Sequence, residues 1–154
     1  EEIGMKKSPQ LERLEQTLRS SRLSARGFLG EDKRSLWEIL DTDAREVAAL
    51  HYTMKQIASR MQEISDQARK GLGDWVQVGE NLRAWASDVR GINACPWPHA
   101  FRAHKTVITV ESTESGKSIK WADLNVHLIR EHGFFQGKGS AFRLEPRELV
   151  EIIF

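Results

Sequence analysis

The 154-residue chain has very little cysteine and almost no net charge. Its single Cys excludes an internal disulfide, and a chain of this length can bury enough surface to fold without one. The 23 basic and 22 acidic residues leave a net charge of +1, which argues against a protein that grips nucleic-acid backbones along its whole surface. Nucleic acid is therefore not an expected partner, although basic and aromatic residues are interleaved between Trp97 and Lys105.

Long apolar runs are also missing. The longest are only a few residues, whereas a membrane-spanning helix needs about 20. A signal peptide also needs an apolar core, but the segment after the N-terminal lysines carries Glu12 and Glu15. These absences predict a cytoplasmic protein with no membrane partner. Met5 followed by two lysines is typical of a native start, so residues 1–4 are interpreted as additional to the native chain.

The remaining composition, 40% hydrophobic and 29% charged, is typical of a globular protein. We expect one domain over residues 1–154, with a helical part over 8–71 and an α/β part over 72–154. A proline-containing junction over 92–105 would join the two parts. This organisation predicts an α+β fold with an α-rich N-terminal half.

The N-terminal half carries three helix patterns. Ser8 and Pro9 are a typical helix start, and a second short helix is expected over 31–40. One long helix is predicted over about 43–70, because apolar residues recur at spacings of three and four before Gly71. The residues of this heptad stripe are Val47, Leu50, Met54, Ile57, Met61, Ile64 and Ala68. The stripe over 47–68 is either the core-facing side of the helix or the seam of a homodimer.

The C-terminal half predicts a small antiparallel sheet and one helix. Residues 74–90 fit either a helix or a β-hairpin, and Gly79 favours the hairpin because glycine is a poor helix former. Strands are expected over 106–111 and 118–121, with a turn between them. A helix over about 122–132 would end at Gly133.

A glycine-rich segment follows that helix and is the predicted ligand site. Three glycines between residues 133 and 139 allow backbone N–H groups to converge on an anion. Lys138 and Arg143 would add positive charge, and His132 would face the same ligand from the helix end. The predicted binding residues for a small anion are therefore His132, Lys138, Ser140 and Arg143.

Cys95, His99 and His104 form a second candidate, because thiolate and imidazole are ligands of zinc. Their spacing, C-x₃-H-x₄-H, matches none of the paired-ligand signatures that make a zinc assignment strong. A fourth ligand would be His127 or His132, which lie about 140° apart around a helix and so do not form an i, i+4 chelating pair. The preferred interpretation includes no cofactor, and zinc belongs to the alternative.

Cys95 is also a candidate nucleophile. One of the histidines would act as its base, and Asp88 or Asp123 would orient that base. The residue types are present, but the sequence does not determine their geometry.

Three hypotheses for function follow from these patterns. The first is a non-catalytic binding protein for a small anionic ligand or a protein partner. The second is a metal-dependent hydrolase that uses the Cys/His residues, and the third is a structural homo-oligomer. The sequence leaves open whether the protein is an enzyme.

Overall fold

The computed structural model describes residues 8–20 and 27–154, so the interpretation of residues 1–4 lies outside the described residues. Within them the fold is α+β, as predicted, with five helices and a four-stranded antiparallel sheet. The elements are α1 (Pro9–Ser20), α2 (Leu36–Ala49), α3 (Met54–Arg69), β1 (Val76–Val78), β2 (Leu82–Ala94), β3 (Arg102–Ser112), β4 (Ser118–Ala122), α4 (Asp123–His132) and α5 (Pro146–Ile153). A search of this part of the chain finds no helix with the length and apolarity to cross a membrane.

The first helix begins as predicted. Pro9 occupies its first position, and the Ser8 hydroxyl accepts a hydrogen bond from the Leu11 backbone N–H at 3.1 Å. This bond satisfies one of the N–H groups that a helix start leaves unpaired.

The predicted long helix over 43–70 is two helices, α2 and α3. The chain leaves α2 at His51, whose φ of 65° is left-handed, and it enters α3 through a capping box. The Thr53 hydroxyl accepts from the Gln56 N–H at 3.1 Å, and the Gln56 side chain accepts from the Thr53 N–H at 2.9 Å. These paired bonds stabilise a new helix start, which the apolar spacing alone does not reveal.

The short helix predicted over 31–40 begins later and continues further. A capping box between Ser35 and Glu38 starts α2 at Leu36, and the helix runs on through residues 41–43 to Ala49. Asp43 is buried there because Arg143 pairs with it. A partner 100 residues away therefore overrides the usual preference of Asp for helix ends.

The sheet has the order β1-β2-β3-β4, and the hairpin predicted for residues 74–90 is confirmed. β2 and β3 form a long antiparallel pair that extends the predicted strand over 106–111 in both directions. Their register shifts between Val89 and Ile92, which leaves Arg90 and Gly91 in a bulge. The connection between β2 and β3 lies inside the predicted junction over 92–105.

The core consists of two clusters of buried apolar residues, and α4 contributes to both. Val126 and Ile129 pack with α3, α5 and the sheet, whereas Leu124 and Leu128 pack with α1 and α2. Cys95 and Trp97 belong to the second cluster. α4 therefore joins the two clusters and places its C-terminal half beside the β2–β3 connection.

The heptad stripe faces the chain's own core. Its members Ile57, Met61, Ile64 and Ala68 are each 0% exposed, in the cluster that also holds Trp121. The Trp121 indole N–H donates to the Ser65 hydroxyl at 2.9 Å and joins β4 to α3. Burial of the stripe fits its core-facing interpretation, and the homodimer stays a prediction.

Candidate metal centre

The connection between β2 and β3 positions two ligand-bearing side chains, Cys95 and His99. The Cys95 N–H donates to the Phe101 carbonyl at 3.0 Å, which closes the loop at its base. Pro96 and Pro98 lie between Cys95 and His99 and restrict the backbone of this connection. This tight loop places the His99 Nε2 3.2 Å from the Cys95 Sγ.

α4 supplies two further imidazoles, those of His127 and His132. His132 is the last residue of the helix, before Gly133 turns the chain at a φ of 60°. The predicted helix end at Gly133 is therefore confirmed. Although the two histidines are five residues apart, their ring centroids are 5.4 Å apart, and the ring planes lie at 77° to each other.

These four side chains converge at their ligand atoms. The His99 Nε2 lies 3.0 Å from the His132 Nε2 and 3.3 Å from the His127 Nε2. The Cys95 Sγ lies 3.5 Å from the His132 Nε2, and all four ligand atoms lie within 4.8 Å of one another. We call Cys95, His99, His127 and His132 the Cys/His cluster; it could hold a metal ion.

Hydrogen bonds alone do not account for the close approach of the four ligand atoms. The His99 Nε2 has three polar neighbours within 3.3 Å, namely the Cys95 Sγ and the Nε2 atoms of His127 and His132. A ring nitrogen carries either one proton or one lone pair, so it forms one such bond at a time. A cation at the centre of the Cys/His cluster would instead bind one lone pair from each of the four ligand atoms.

Two aromatic rings hold the helix imidazoles in place. Trp97 stacks on His132 with a centroid distance of 4.1 Å and an angle of 9°, and Phe101 stacks on His127 at 3.6 Å and 3°. Trp97 is itself buried and contacts Phe134. Rings stacked on both imidazoles limit their rotation, which keeps the two Nε2 atoms directed at the cluster.

The surroundings favour the neutral forms of His127 and His132. Burial lowers the pKa of His132 to about 4, and the nearby His127 and His99 add to this effect. Burial and His99 also lower the pKa of His127, whereas burial raises the pKa of the Cys95 thiol. Neutral imidazoles offer lone pairs at pH 7, and binding of a cation would displace the thiol proton.

The cluster borders a cleft of about 670 Å³. His99 is exposed on this side, whereas Cys95 lies on the buried side of the cluster. Arg102, Arg130 and Glu131 also line the cleft, so its wall carries both signs of charge.

Of the predicted metal ligands, Cys95 and His99 belong to the cluster and His104 does not. His104 lies on β3 opposite Ile92 and lines the cleft instead. The sequence analysis named His127 and His132 as alternative fourth ligands, and the structure brings both into the cluster. His127 and His132 have an H-x₄-H spacing, which falls within the range that zinc sites use, but His99 and His104 have the same spacing, so spacing alone does not select the ligands.

The four residues predicted to hold an anion do not line one cavity. His132 lies in the Cys/His cluster, and Arg143 lines another pocket, where it pairs with Asp43 and Glu145. The Ser140 hydroxyl donates to the Gln136 side chain. Lys138 is exposed. An anion site that uses all four residues therefore stays a prediction.

The aspartates proposed to orient a catalytic histidine have other partners. The Asp88 carboxylate accepts from the Thr106 hydroxyl at 3.2 Å, and Asp123 forms an ion pair with Arg69. The raised pKa of Cys95 also keeps its thiol protonated in the metal-free chain. This geometry does not favour a Cys-His-Asp nucleophile.

Comparison of the chain with models of protein families, with curated proteins and with solved structures found no match. The chemistry of the Cys/His cluster is therefore the basis for inferring function. One thiolate and three imidazoles form a donor set typical of zinc among the biological divalent metals.

Proposed function

We propose that this protein is a zinc-binding α+β domain and that Cys95, His99, His127 and His132 are the four ligands. The observation that carries the proposal is the convergence of all four ligand atoms within 4.8 Å. Zn–N bonds of about 2.0–2.1 Å and a Zn–S bond of about 2.3 Å imply ligand separations of about 3.3–3.6 Å around a tetrahedron. Separations of 3.0, 3.2, 3.3 and 3.5 Å in the cluster lie close to that range.

The metal would have a structural role. Four protein ligands complete a tetrahedron, which is the arrangement of structural zinc sites, whereas catalytic sites keep one position for water or substrate. Two ligands come from the β2–β3 connection and two from α4. Zinc would thus clamp this connection onto the helix that joins the two core clusters.

A metal-dependent hydrolase is the second candidate, and the exposure of His99 favours it. His99 is the exposed member of the cluster and lies at the edge of the cleft. If His99 dissociated, the fourth metal position would open toward the cleft, where a bound water could be activated. Glu131, which lines the same cleft, would be available as a base.

Metal analysis of the purified chain tests the proposal. We expect about one zinc per chain by mass spectrometry, and titration of the metal-free chain with Co²⁺ should give the visible bands and thiolate charge-transfer band of a tetrahedral site. Cys95→Ser should lose the charge-transfer band. His104→Asn is the matched control, because His104 lines the cleft outside the cluster, and it should behave as wild type. Absence of stoichiometric metal together with a featureless Co²⁺ titration would overturn the proposal.

The variant His99→Ala separates the two candidate roles. In a structural site, loss of one ligand should weaken zinc binding by at least the 10- to 100-fold that is typical of losing a partner outside the ligand set, and it should lower the melting temperature. In a catalytic site, three protein ligands and water suffice, so the variant should keep its zinc. Full zinc retention with unchanged melting temperature would therefore favour the hydrolase.

A further inference from the structure

A second cavity, of about 320 Å³, is lined by none of the Cys/His cluster residues. Apolar side chains form most of its wall, among them Phe28, Val107, Leu124 and Phe142. Ligand pockets of proteins are of this kind, mostly apolar with a few polar groups that orient the ligand. This cavity is thus a candidate ligand site that does not depend on zinc binding.

Lys105 is the one charged residue among the described residues that line the cavity. It forms no ion pair with any residue in the described part of the chain. Its side chain crosses the β2 bulge at Gly91, where an added Cβ would lie 3.3 Å from the Lys105 Cδ. Glycine at this bulge therefore gives the Lys105 side chain room beside the cavity, and the positive charge there is left without a counterion.

Gln136 supplies a second donor. It is 4% exposed and has a left-handed φ of 68°, a backbone conformation that usually belongs to glycine or asparagine. Its backbone carbonyl accepts from Arg143 at 2.8 Å, and its side-chain oxygen accepts from Ser140. Its side-chain N–H₂ has no hydrogen-bond partner among residues 8–20 and 27–154, and a buried donor without a partner is costly.

We infer that this cavity binds a small monocarboxylate with an apolar tail. Lys105 and Gln136 both line the cavity and both offer donors, so the group they would hold is an acceptor, and the lysine charge favours an anion. No described Asp or Glu lines the wall to repel it. The apolar wall accommodates the tail, and a cavity of about 320 Å³ lies at the small end of the range of about 300–1,000 Å³ for small-molecule pockets.

Calorimetric titration of the full chain with sodium octanoate and with octan-1-ol tests this inference. Wild type should bind octanoate about tenfold more tightly than octan-1-ol, because only the carboxylate pairs with the ammonium group. Lys105→Met should remove this preference and leave octan-1-ol binding unchanged. Lys117→Met is the matched control, since Lys117 is an exposed lysine in the β3–β4 turn.

Ala141→Trp gives an independent measurement. Ala141 is exposed and lines the cavity, so a large side chain there would fill the opening without entering the core clusters. This variant should lose both ligands while keeping the wild-type melting temperature. Equal binding of octanoate by the Lys105 and Lys117 variants, or octanoate binding that Ala141→Trp does not change, would overturn the inference. Neither result depends on zinc, so failure here leaves the zinc proposal intact.

Discussion

Two groups of polar side chains from distant parts of the chain meet in this fold. They differ in whether their charges and hydrogen bonds are paired within the chain. In the first, the Arg143 guanidinium donates two hydrogen bonds to the Asp43 carboxylate, at 2.6 and 3.0 Å, and also pairs with Glu145. The Arg143 and Asp43 side chains are only 8% and 4% exposed. In the second, the Cys/His cluster, the ligand atoms of four side chains all lie within 4.8 Å of one another.

The difference lies in charge and in donors. Burial alone would lower the pKa of Arg143, but hydrogen bonds from its guanidinium to Asp43 and Glu145 outweigh burial and raise that pKa above its ordinary value. The ion pair is complete within the chain. The Cys/His cluster instead brings one thiol and three imidazoles together, and a bound metal ion would take a lone pair from each of them and displace the thiol proton. Four metal-ligating side chains that converge on one point thus fit a bound cation, whereas the ion pair needs none.

The largest expected effect on stability comes from the buried ion pair of Arg143 and Asp43, compared with an ion pair on the surface. Arg143→Met should lower the free energy of unfolding by about 3–5 kcal/mol, because it leaves the buried Asp43 carboxylate unpaired. Arg147→Met is the matched control, since Arg147 joins α5 to α2 through an exposed pair with Glu46, and it should cost about 0.5 kcal/mol or less. Urea unfolding measures both. Similar losses of unfolding free energy in the two variants would show that the buried pair stabilises the fold no more than the exposed pair does.

Zinc should stabilise the Cys/His cluster and leave the ion pair unaffected. At a free zinc concentration 100-fold above its Kd, binding to the folded chain alone adds about 2.7 kcal/mol to the free energy of unfolding. His127→Gln should remove this increment, and His104→Gln should keep it. Chelator and zinc titrations followed by thermal unfolding provide the measurement. An increment that survives in His127→Gln would place the bound zinc elsewhere.

The two groups should also differ in their response to pH. In the folded metal-free chain the pKa of His132 is about 4, whereas the ordinary value is 6.5. Between these values the unfolded chain binds a proton that the folded chain excludes, so stability falls as pH falls from about 6.5 to about 4. His132→Gln should flatten this dependence, as measured by urea unfolding in chelator across that range. Equal slopes in both proteins would contradict the assignment.

The smallest expected effect concerns the stacked rings. Phe101→Leu removes the ring that lies parallel to His127, and an aromatic contact of this kind contributes about 1 kcal/mol. Zinc affinity should therefore fall about fivefold, without loss of zinc stoichiometry. Competition with a zinc indicator measures the change. Unaltered affinity would show that the helix alone orients His127.

Local signals predicted many of the elements. Ser8 and Pro9 start α1, the turn at Gly79 forms the hairpin, and Gly133 ends α4, because each depends on residues within one turn of the chain. The apolar stripe does not predict the break between α2 and α3, although Thr53 and Gln56 have the spacing of a capping box. The apolar spacing continues across this break, so the stripe predicts one helix. The chain forms two helices, and both pack their part of the stripe into the same core cluster.

The sequence by itself determined the fold class, the start of α1, the hairpin and the end of α4, and it placed Cys95 and His99 on one loop as candidate metal ligands. Only the tertiary structure decided that His127 and His132 complete their cluster, that His104 does not, and that Arg143 pairs with Asp43. Hydrogen bonds within a turn depend on neighbouring residues, whereas these choices depend on how α4 and the segment before α5 pack against elements up to 100 residues away. His127 and His132 lie about 140° apart around α4 and therefore do not form an i, i+4 chelating pair. They can still share one site, because the β2–β3 connection supplies the other two members of the cluster.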